Sequence, residues 1–171
     1  GAVYEALWYR PALDVNGMIS GFTGEGAKTV LPAQARAKVS MRLVADQDPD
    51  EIAELFEKHV MSLAPEGVRV HVKSLHGGWP WGANPDSPLF DAAAAALEKP
   101  FGREPVYVGE GGSIPIVPLF EEIFEGPVLL LGFAPPGGNA HAPNEWMDLS
   151  VYHRGIETIA RLYDEVAHKG V

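Results

Sequence analysis

One histidine lies in a stretch whose residue types could bind a metal ion or a small ligand. His141 is flanked by Ala140 and Ala142 within residues 139–145, after the apolar run 128–131. An apolar run that leads into a Gly/Pro-rich loop is typical of a buried strand whose carboxyl end opens on a cleft. The small neighbours leave the imidazole room to face a ligand, and imidazole is a common metal ligand. A surface loop with a structural histidine is an equally good interpretation of this stretch alone.

A second candidate loop combines glycines with two polar side chains. Residues 109–113 read Gly-Glu-Gly-Gly-Ser and follow a predicted short strand at 104–108. Glycines let successive backbone N–H groups point inward, which makes a cradle for an anion such as a carboxylate. Ser113 would add a hydroxyl, and Glu110 would add an acceptor for an amine. The alternative is a tight turn between a strand and a helix that uses its glycines for geometry only.

The elements that must position these loops begin with two strands and a helix. Residues 13–19 suit a short strand, and residues 33–44 alternate apolar and polar side chains, which predicts a half-buried strand. Arg42 is the last charge on the polar face of that strand; it is either solvated or a bidentate clamp for a carboxylate. Asp48 and Pro49 then begin a helix as N-cap and first helical residue.

The remainder of the first half completes only part of a familiar unit. Residues 68–73 alternate again and predict another strand, whereas residues 4–10 are predicted to be irregular or an edge segment. The order strand, strand, helix, strand suggests a split β-α-β, ferredoxin-like unit that lacks one helix and one strand at its front. This favours a chain truncated at its N-terminus. His76, followed by two glycines and Trp79, either shapes a binding wall or forms a hinge.

The second half alternates predicted helices and strands. Helices are predicted at 89–98, 116–124 and 150–167, and strands at 104–108 and 128–132. This order is typical of α/β layering. Because ligands of such sheets bind beyond the carboxyl ends of the strands, we expect the loops at 110–113 and 139–145 to meet in one cleft.

Composition excludes several classes of function. The 171 residues are 46% hydrophobic and carry a formal net charge of −10, which argues against a nucleic-acid partner and against anionic membranes. The chain has no cysteine, so disulfides and thiolate metal sites are excluded, and a reducing cytosol is compatible with it. No apolar run approaches the ~18 residues of a membrane span. No signal peptide is visible at residue 1, and we expect a cytoplasmic protein.

Six motifs in one order give the sequence a family resemblance. They are Arg10-Pro11 with residues 14–17, residues 24–32, residues 40–44, His76-Gly77-Gly78, residues 110–115 and residues 140–145. Together they resemble the M20 family of di-zinc metallopeptidases, in particular the zinc dipeptidases related to carnosinase. The resemblance implies a mixed α+β and α/β chain. Residues 1–82 would be part of a ferredoxin-like lid or dimerisation domain, and residues 83–171 the C-terminal part of the zinc-bearing catalytic domain.

The resemblance also assigns site residues and partners. It implies that His141 is a ligand of one of two zinc ions per subunit, with other divalent metals possible. Glu110, Gly111, Gly112 and Ser113 would line the substrate pocket, and Thr29, Arg42 and His76 would bind the substrate carboxylate or backbone from the lid. The expected partners are a short peptide substrate, a second copy of the chain through the lid domain, and an N-terminal fragment of the same protein.

The sequence departs from the family pattern in two ways. Gly109 stands where a larger, often basic residue is usual, and none of the N-terminal metal ligands or the general base is present. We therefore expect no catalytic residue in this portion and an inactive chain when it is alone. The alternatives are a non-catalytic binding or scaffold module that keeps the fold, and a deacylase of N-acyl amino acids from the same superfamily.

Overall fold

The chain forms helices and a single hairpin in the part that the structure describes. The computed structural model describes residues 2–110 and 114–170. The described elements, in order, are α1 (Ala2–Tyr9), β1 (Ala12–Ser20), β2 (Ala35–Arg42), α2 (Pro49–Ser62), α3 (Pro88–Phe101), α4 (Ile116–Phe124) and α5 (Leu149–Lys169). This mixture of helix and strand agrees with the predicted α+β class.

The chain divides into two compact units. Unit 1 comprises Gly1–Trp81 and Gly109–Pro118, and unit 2 comprises Gly82–Val108 and Leu119–Val171. Gly109 and Glu110 therefore belong to unit 1, whereas the loop at residues 137–146 that carries His141 belongs to unit 2.

Strands β1 and β2 pair antiparallel with one extra residue in β1. Val15 lies opposite Val39 and Gly17 lies opposite Lys38, so Asn16 is a bulge. Because side chains alternate with a period of two, one inserted residue reverses which face the rest of the strand presents. Met18, opposite Ala37, thereby joins the same apolar face as Val15. Apolar and polar residues alternate strictly in β2 but not in β1. The bulge at Asn16 shifts the register of β1 so that the two strands can still pair with their apolar residues on one face.

Helix α1 corrects the prediction that residues 4–10 are irregular or an edge segment. The segment contains no glycine or proline before Pro11 and begins with residues that tolerate helix well. Tyr4 and Trp8, one turn apart, place their ring centroids 4.8 Å apart. The Arg10 guanidinium contacts the Glu5 carboxylate at 2.8 Å, but both side chains are exposed, so this pair stabilises the helix only weakly.

Helix α2 begins as its sequence predicts. The Asp48 carboxylate accepts hydrogen bonds from the backbone N–H groups of Asp50 and Glu51, at 2.8 and 3.3 Å. Pro49 occupies the first turn, where its missing N–H would have no helical partner. The helix ends before Pro65, and the predicted strand at 68–73 does not form. The alternation of apolar and polar residues at 68–73 predicts a half-buried face, but it does not specify a hydrogen-bonding partner. No strand of the described residues pairs with this segment.

Unit 2 is organised by the packing of α3 against α5. The buried residues of α3 are Ala92, Ala93 and Ala96, and those of α5 are Gly155 and Thr158. Small side chains let two helix backbones approach closely. The Thr158 hydroxyl donates to the Arg154 carbonyl at 2.9 Å, so this buried polar group is satisfied within its own helix.

The ends of α3 differ from the sequence expectation in detail. Ser87 is the N-cap, but its hydroxyl makes no capping bond, and its buried oxygen has no partner among the described residues. The helix continues through Pro100 to Phe101 and ends at Gly102, whose φ of 67° is left-handed. The Gly102 N–H donates to the Glu98 carbonyl at 2.7 Å, which closes the last turn.

The two strands predicted for the second half are not formed. Residues 104–108 and 128–132 are neither helical nor paired in a ladder. The only sheet of the described residues is the two-stranded β1–β2 ribbon, so the predicted parallel layer is absent there. A central strand needs a neighbouring strand to satisfy its backbone N–H and C=O groups. The apolar pattern shows that a segment is suited to burial, but it does not show which strand would pair with it.

The chain exposes far more surface than a self-sufficient fold of its length. Its accessible surface is 13952 Å². One domain of this length would expose about 8,200 Å², and two separate domains of half the length about 9,900 Å² in total. Large apolar side chains contribute to the excess: Val106 is 81% exposed and Phe124 is 74% exposed. Several apolar faces of these residues therefore lack a covering partner within the described structure.

Candidate functional site

The loop that carries His141 is closed on itself by hydrogen bonds. The Trp146 backbone N–H donates to the Gly138 carbonyl at 3.0 Å, and the Gly138 N–H donates to the Pro135 carbonyl at 3.1 Å. Within the closed segment, the Ala142 N–H donates to the Asn139 carbonyl at 2.9 Å. His141 thus lies in a tight turn between two points at which the chain is tied to itself.

Left-handed backbone is concentrated in this loop. Asn139, His141 and Asn144 have φ values of 55°, 63° and 60°, and Gly137 has 76°. Residues other than glycine adopt this region uncommonly, although asparagine and histidine are enriched in it. Such conformations cost of order 1–3 kcal/mol each and persist only when surrounding contacts impose them. The shape of the loop is therefore imposed on His141 by its hydrogen-bonded neighbours.

A tryptophan that sequence reasoning did not single out completes the closure. The indole N–H of Trp146 donates to the Gly137 carbonyl at 3.1 Å, next to the bond that its backbone N–H makes with Gly138. One residue thereby ties two consecutive carbonyls. The only sequence signal was the presence of a tryptophan directly after the 139–145 motif.

The His141 side chain is exposed. Among the described residues, no group of three or more His, Asp or Glu side chains could hold a metal ion. Within the described part of the chain, His141 is thus not a member of a cluster of potential metal ligands. Because zinc sites in proteins use three or four protein ligands, these residues do not make a metal centre by themselves.

The other predicted site residues lie in unit 1. Thr29 is exposed in the β1–β2 connection, Arg42 is exposed at the end of β2, and His76 is exposed in the segment after α2. Glu110 is also exposed. The predicted cradle residues Gly111, Gly112 and Ser113 lie outside the described residues. That these side chains line one substrate site, and that they meet His141, stays a prediction.

The segment of His76 is held close to two prolines. A Cβ added to Gly77 would lie 3.2 Å from the Pro49 Cβ, and one added to Gly78 would lie 3.6 Å from the Pro115 Cβ. The two glycines after His76 therefore let the backbone pass near α2 and near the start of the segment that leads into α4. This close approach gives the His76-Gly77-Gly78 motif a packing role in addition to its predicted binding role.

Helix α5 begins immediately after the His141 loop and has a charged cap. The Ser150 hydroxyl and backbone N–H donate to the Asp148 carboxylate, the latter at 2.7 Å, and they lower the pKa of Asp148. The Val151 backbone and the positive charge of Arg154 lower this pKa further, whereas slight desolvation raises it. The carboxylate satisfies an N–H at the positive end of the helix dipole. This cap fixes the point at which the loop becomes helix.

No helix of the described residues is long and apolar enough to span a membrane.

The sequence matches a known peptidase family over most of its length. The model of peptidase family M20/M25/M40 matches residues 8–165. A Cys-Gly metallodipeptidase of Saccharomyces cerevisiae is 35% identical over 158 residues, which are 90% of this chain and 32% of that protein. The human Beta-Ala-His dipeptidase is 30% identical over 164 residues, which are 94% of this chain and 32% of that protein. The chain spans about a third of the length of these relatives.

Solved structures agree with the sequence match. The dipeptidase Dug1p of Saccharomyces cerevisiae superposes with a TM-score of 0.83 at 32% identity, covering 98% of this chain and 36% of that one. The M20 metallo-carboxypeptidase Sso-CP2 of Sulfolobus solfataricus has a TM-score of 0.80 at 30% identity, covering 94% and 37% of the two chains. The family predicted from six short motifs is thereby confirmed, and the chain belongs to peptidase family M20/M25/M40.

Proposed function

We propose that this chain is the His141-bearing portion of a zinc-dependent peptidase that hydrolyses dipeptides or related short peptides. The observation that carries the proposal is the continuous match of nearly the whole chain to dipeptidases, in sequence and in structure. The exposed His141, set in a loop of imposed backbone conformation, supports its role as a zinc ligand. The family also contains a metallo-carboxypeptidase, so the length of the peptide is a matter for substrate profiling.

The residues of this chain would bind and orient the peptide. A pair of zinc ions, when bound, supplies a metal-activated hydroxide and polarises the scissile carbonyl. The Arg42 guanidinium can hold a free carboxylate through two parallel hydrogen bonds. The glycines at 111 and 112, with Ser113, would add backbone and hydroxyl donors for the peptide.

Further contacts of the proposed site come from three exposed side chains. Glu110 would accept from the peptide's amino terminus, and Thr29 and His76 would contact its carboxylate or backbone. Neutral His141 would bind zinc through one ring nitrogen and use the other for orientation.

The proposal includes the finer features that the family resemblance implies. Residues 1–82 would belong to a ferredoxin-like lid through which two copies dimerise, and residues 83–171 to the catalytic domain. Two zinc ions would be bound per subunit, with the remaining ligands and the general base on polypeptide outside residues 1–171. The working compartment would be the cytoplasm. The isolated chain would then be inactive, because a single histidine does not hold a zinc pair.

Peptide hydrolysis by two preparations tests the proposal. The isolated 171-residue chain and the product of the complete coding sequence are each assayed against Cys-Gly and β-Ala-His with zinc, and again with a chelator. We expect chelator-sensitive hydrolysis by the complete product and none by the chain. His141→Ala should abolish hydrolysis, whereas His153→Ala, at an exposed histidine of α5, should preserve it. Robust zinc-dependent hydrolysis by the isolated chain would contradict the proposal.

Two other functions are distinguished by the same preparations. A deacylase of the same superfamily would release amino acids from N-acyl substrates faster than it cleaves dipeptides. A binding or scaffold module would have a gene product of about this chain's size and would hydrolyse neither substrate class.

A further inference from the structure

The His141 loop is tied at its base by a single residue that offers two donors. Trp146 donates its backbone N–H to the Gly138 carbonyl at 3.0 Å and its indole N–H to the Gly137 carbonyl at 3.1 Å. Both acceptors, Gly137 and Gly138, precede His141 and form the entering arm of the loop. Trp146 follows His141 and lies on the leaving arm. The two bonds therefore fix the separation and the relative rotation of the arms on either side of His141.

The backbone is crowded around Gly138, on the side of the loop that precedes His141. A Cβ added to Gly138 would lie 3.1 Å from the Trp146 carbonyl oxygen and 3.2 Å from the Pro135 carbonyl oxygen. Contacts this short are tighter than most real Cβ contacts, so an alanine here would require one of these backbone oxygens to shift by a few tenths of an ångström. Glycine at position 138 and tryptophan at position 146 thus serve the same closure from opposite sides.

The closure has a direct consequence for the backbone of His141. Three residues between the arms, Asn139, His141 and Asn144, have left-handed φ values, which an open loop would not maintain. Hydrogen bonds that tie the arms are the available source of the energy that keeps them there, because the side chains of the loop are exposed. When the arms separate, His141 is free to return to the common right-handed or extended regions.

We infer that Trp146 is a positioning residue for His141, acting through its indole N–H to hold the loop that presents the imidazole. The inference rests on the proposed function for its catalytic meaning, since positioning matters if His141 is a metal ligand. Its structural content, that the indole bond sets the His141 conformation, does not depend on that function. Residues that orient metal ligands typically change metal affinity about 10- to 100-fold when mutated.

The experiment compares two loop variants with matched controls in the complete gene product. Trp146→Phe removes the indole N–H and keeps an aromatic ring, with Trp79→Phe, at an exposed tryptophan of unit 1, as its control. Gly138→Ala crowds the closure, with Gly132→Ala as its control because a Cβ there meets nothing within 4 Å. Amide hydrogen exchange at Ala142 and at position 146 is measured, together with scalar couplings that report φ at His141.

We expect both loop variants to exchange these amides about fivefold faster, as one lost hydrogen bond implies, and to average the His141 couplings. The controls should leave both quantities unchanged at equal global stability. Unaltered exchange and couplings in Trp146→Phe would overturn the inference, as would equal loosening by Trp79→Phe. Gly138→Ala gives an independent answer if Trp146→Phe lowers global stability too far to compare.

A second readout connects the loop to the metal. In the complete gene product, Trp146→Phe should weaken zinc affinity about 10-fold, measured by competition with a chromophoric chelator, and Trp79→Phe should not. Unchanged affinity together with a loosened loop would overturn the positioning role. If zinc does not bind through His141 in the wild type, the proposed function fails, whereas the exchange data still decide whether the indole holds the loop.

Discussion

Phe133 stacks on Phe101, with their ring centroids 6.3 Å apart and their planes inclined by 19°. Gly155 of α5 approaches the same Phe133 ring, since a Cβ added to it would lie 3.5 Å from the ring carbons. The Arg154 guanidinium lies 5.7 Å from the centroid of Phe101. The segment after residue 132 is thus joined by aromatic packing to the end of α3 and to α5.

This packing makes Phe133 a determinant of the stability of unit 2. Because Phe133 is half-buried, Phe133→Ala should lower the free energy of unfolding by about 2 kcal/mol, somewhat less than for a fully buried phenylalanine. Phe124→Ala, at a phenylalanine that is 74% exposed, should change it by less than about 1 kcal/mol. Urea denaturation followed by circular dichroism measures both. Equal effects of the two substitutions would show that the stacked pair contributes nothing specific.

Alanine substitution should lower stability at the N-cap of α2 but not at the N-cap of α3. Asp48 accepts two backbone N–H bonds, so Asp48→Ala should cost about 1 kcal/mol. The Ser87 hydroxyl is buried without a partner among the described residues, so Ser87→Ala should be neutral or slightly stabilising. Thermal unfolding of the two single variants measures this contrast. A Ser87→Ala loss as large as that of Asp48→Ala would mean that the hydroxyl does cap the helix in solution.

The cap of α5 should depend on pH. The pKa of Asp148 is lowered in the folded chain, so its contribution to stability is fully present above its ordinary value near 4 and is lost as the pH falls through the lower folded pKa. Asp148→Asn should therefore lower the urea midpoint at pH 7 and match the wild type in strong acid.

A charge at the other end of the same helix provides the control for Asp148. Asp164 lies more than one turn before the carboxyl end of α5, where the effect of the helix dipole is weak, so Asp164→Asn should leave the midpoint at pH 7 nearly unchanged. A difference between wild type and Asp148→Asn that grows on acidification would contradict the assignment of the cap.

Helix α5 carries an apolar stripe that the described structure leaves uncovered. Its exposed large apolar residues recur at spacings of three and four: Leu149, Tyr152, Ile156, Ile159 and Tyr163. We expect this exposed apolar stripe to promote self-association of the isolated chain, so Ile156→Lys should reduce that association and leave the chain's stability nearly unchanged. Leu162→Lys should destabilise it, because Leu162 is half-buried and lies one turn after the buried Thr158. Sedimentation velocity and urea denaturation measure the two effects.

The sequence predicts those parts of the fold that local physics decides. Asp48 and Pro49 specify a helix start within four residues, and the alternation through β2 specifies a strand whose partner is its neighbour in the chain. Residues 128–132 were correctly identified as apolar but form no strand, because a strand also needs hydrogen bonds from a partner that no sequence pattern names. Helix α1 was missed because its mixture of aromatic and charged residues has no clear period.

The sequence indicates which residue types make up the loop that carries His141, but not the hydrogen bonds and backbone conformation that shape it. The motif around His141 was identified from residue types, and the family resemblance gave it a role. The indole bond of Trp146 and the left-handed backbone of three loop residues depend on contacts between residues about nine positions apart. Such contacts follow from the closed shape of the loop, which periodicity and composition do not encode.

The zinc content of the complete gene product tests the central claim most directly. The protein is purified without chelators, and its zinc-to-polypeptide ratio is measured by inductively coupled plasma mass spectrometry, for the wild type and for His141→Asn. A zinc pair with His141 as one ligand predicts a ratio near two for the wild type, which His141→Asn reduces by about one. The same ratio in both proteins, or no zinc in either after dialysis against zinc, would contradict the account.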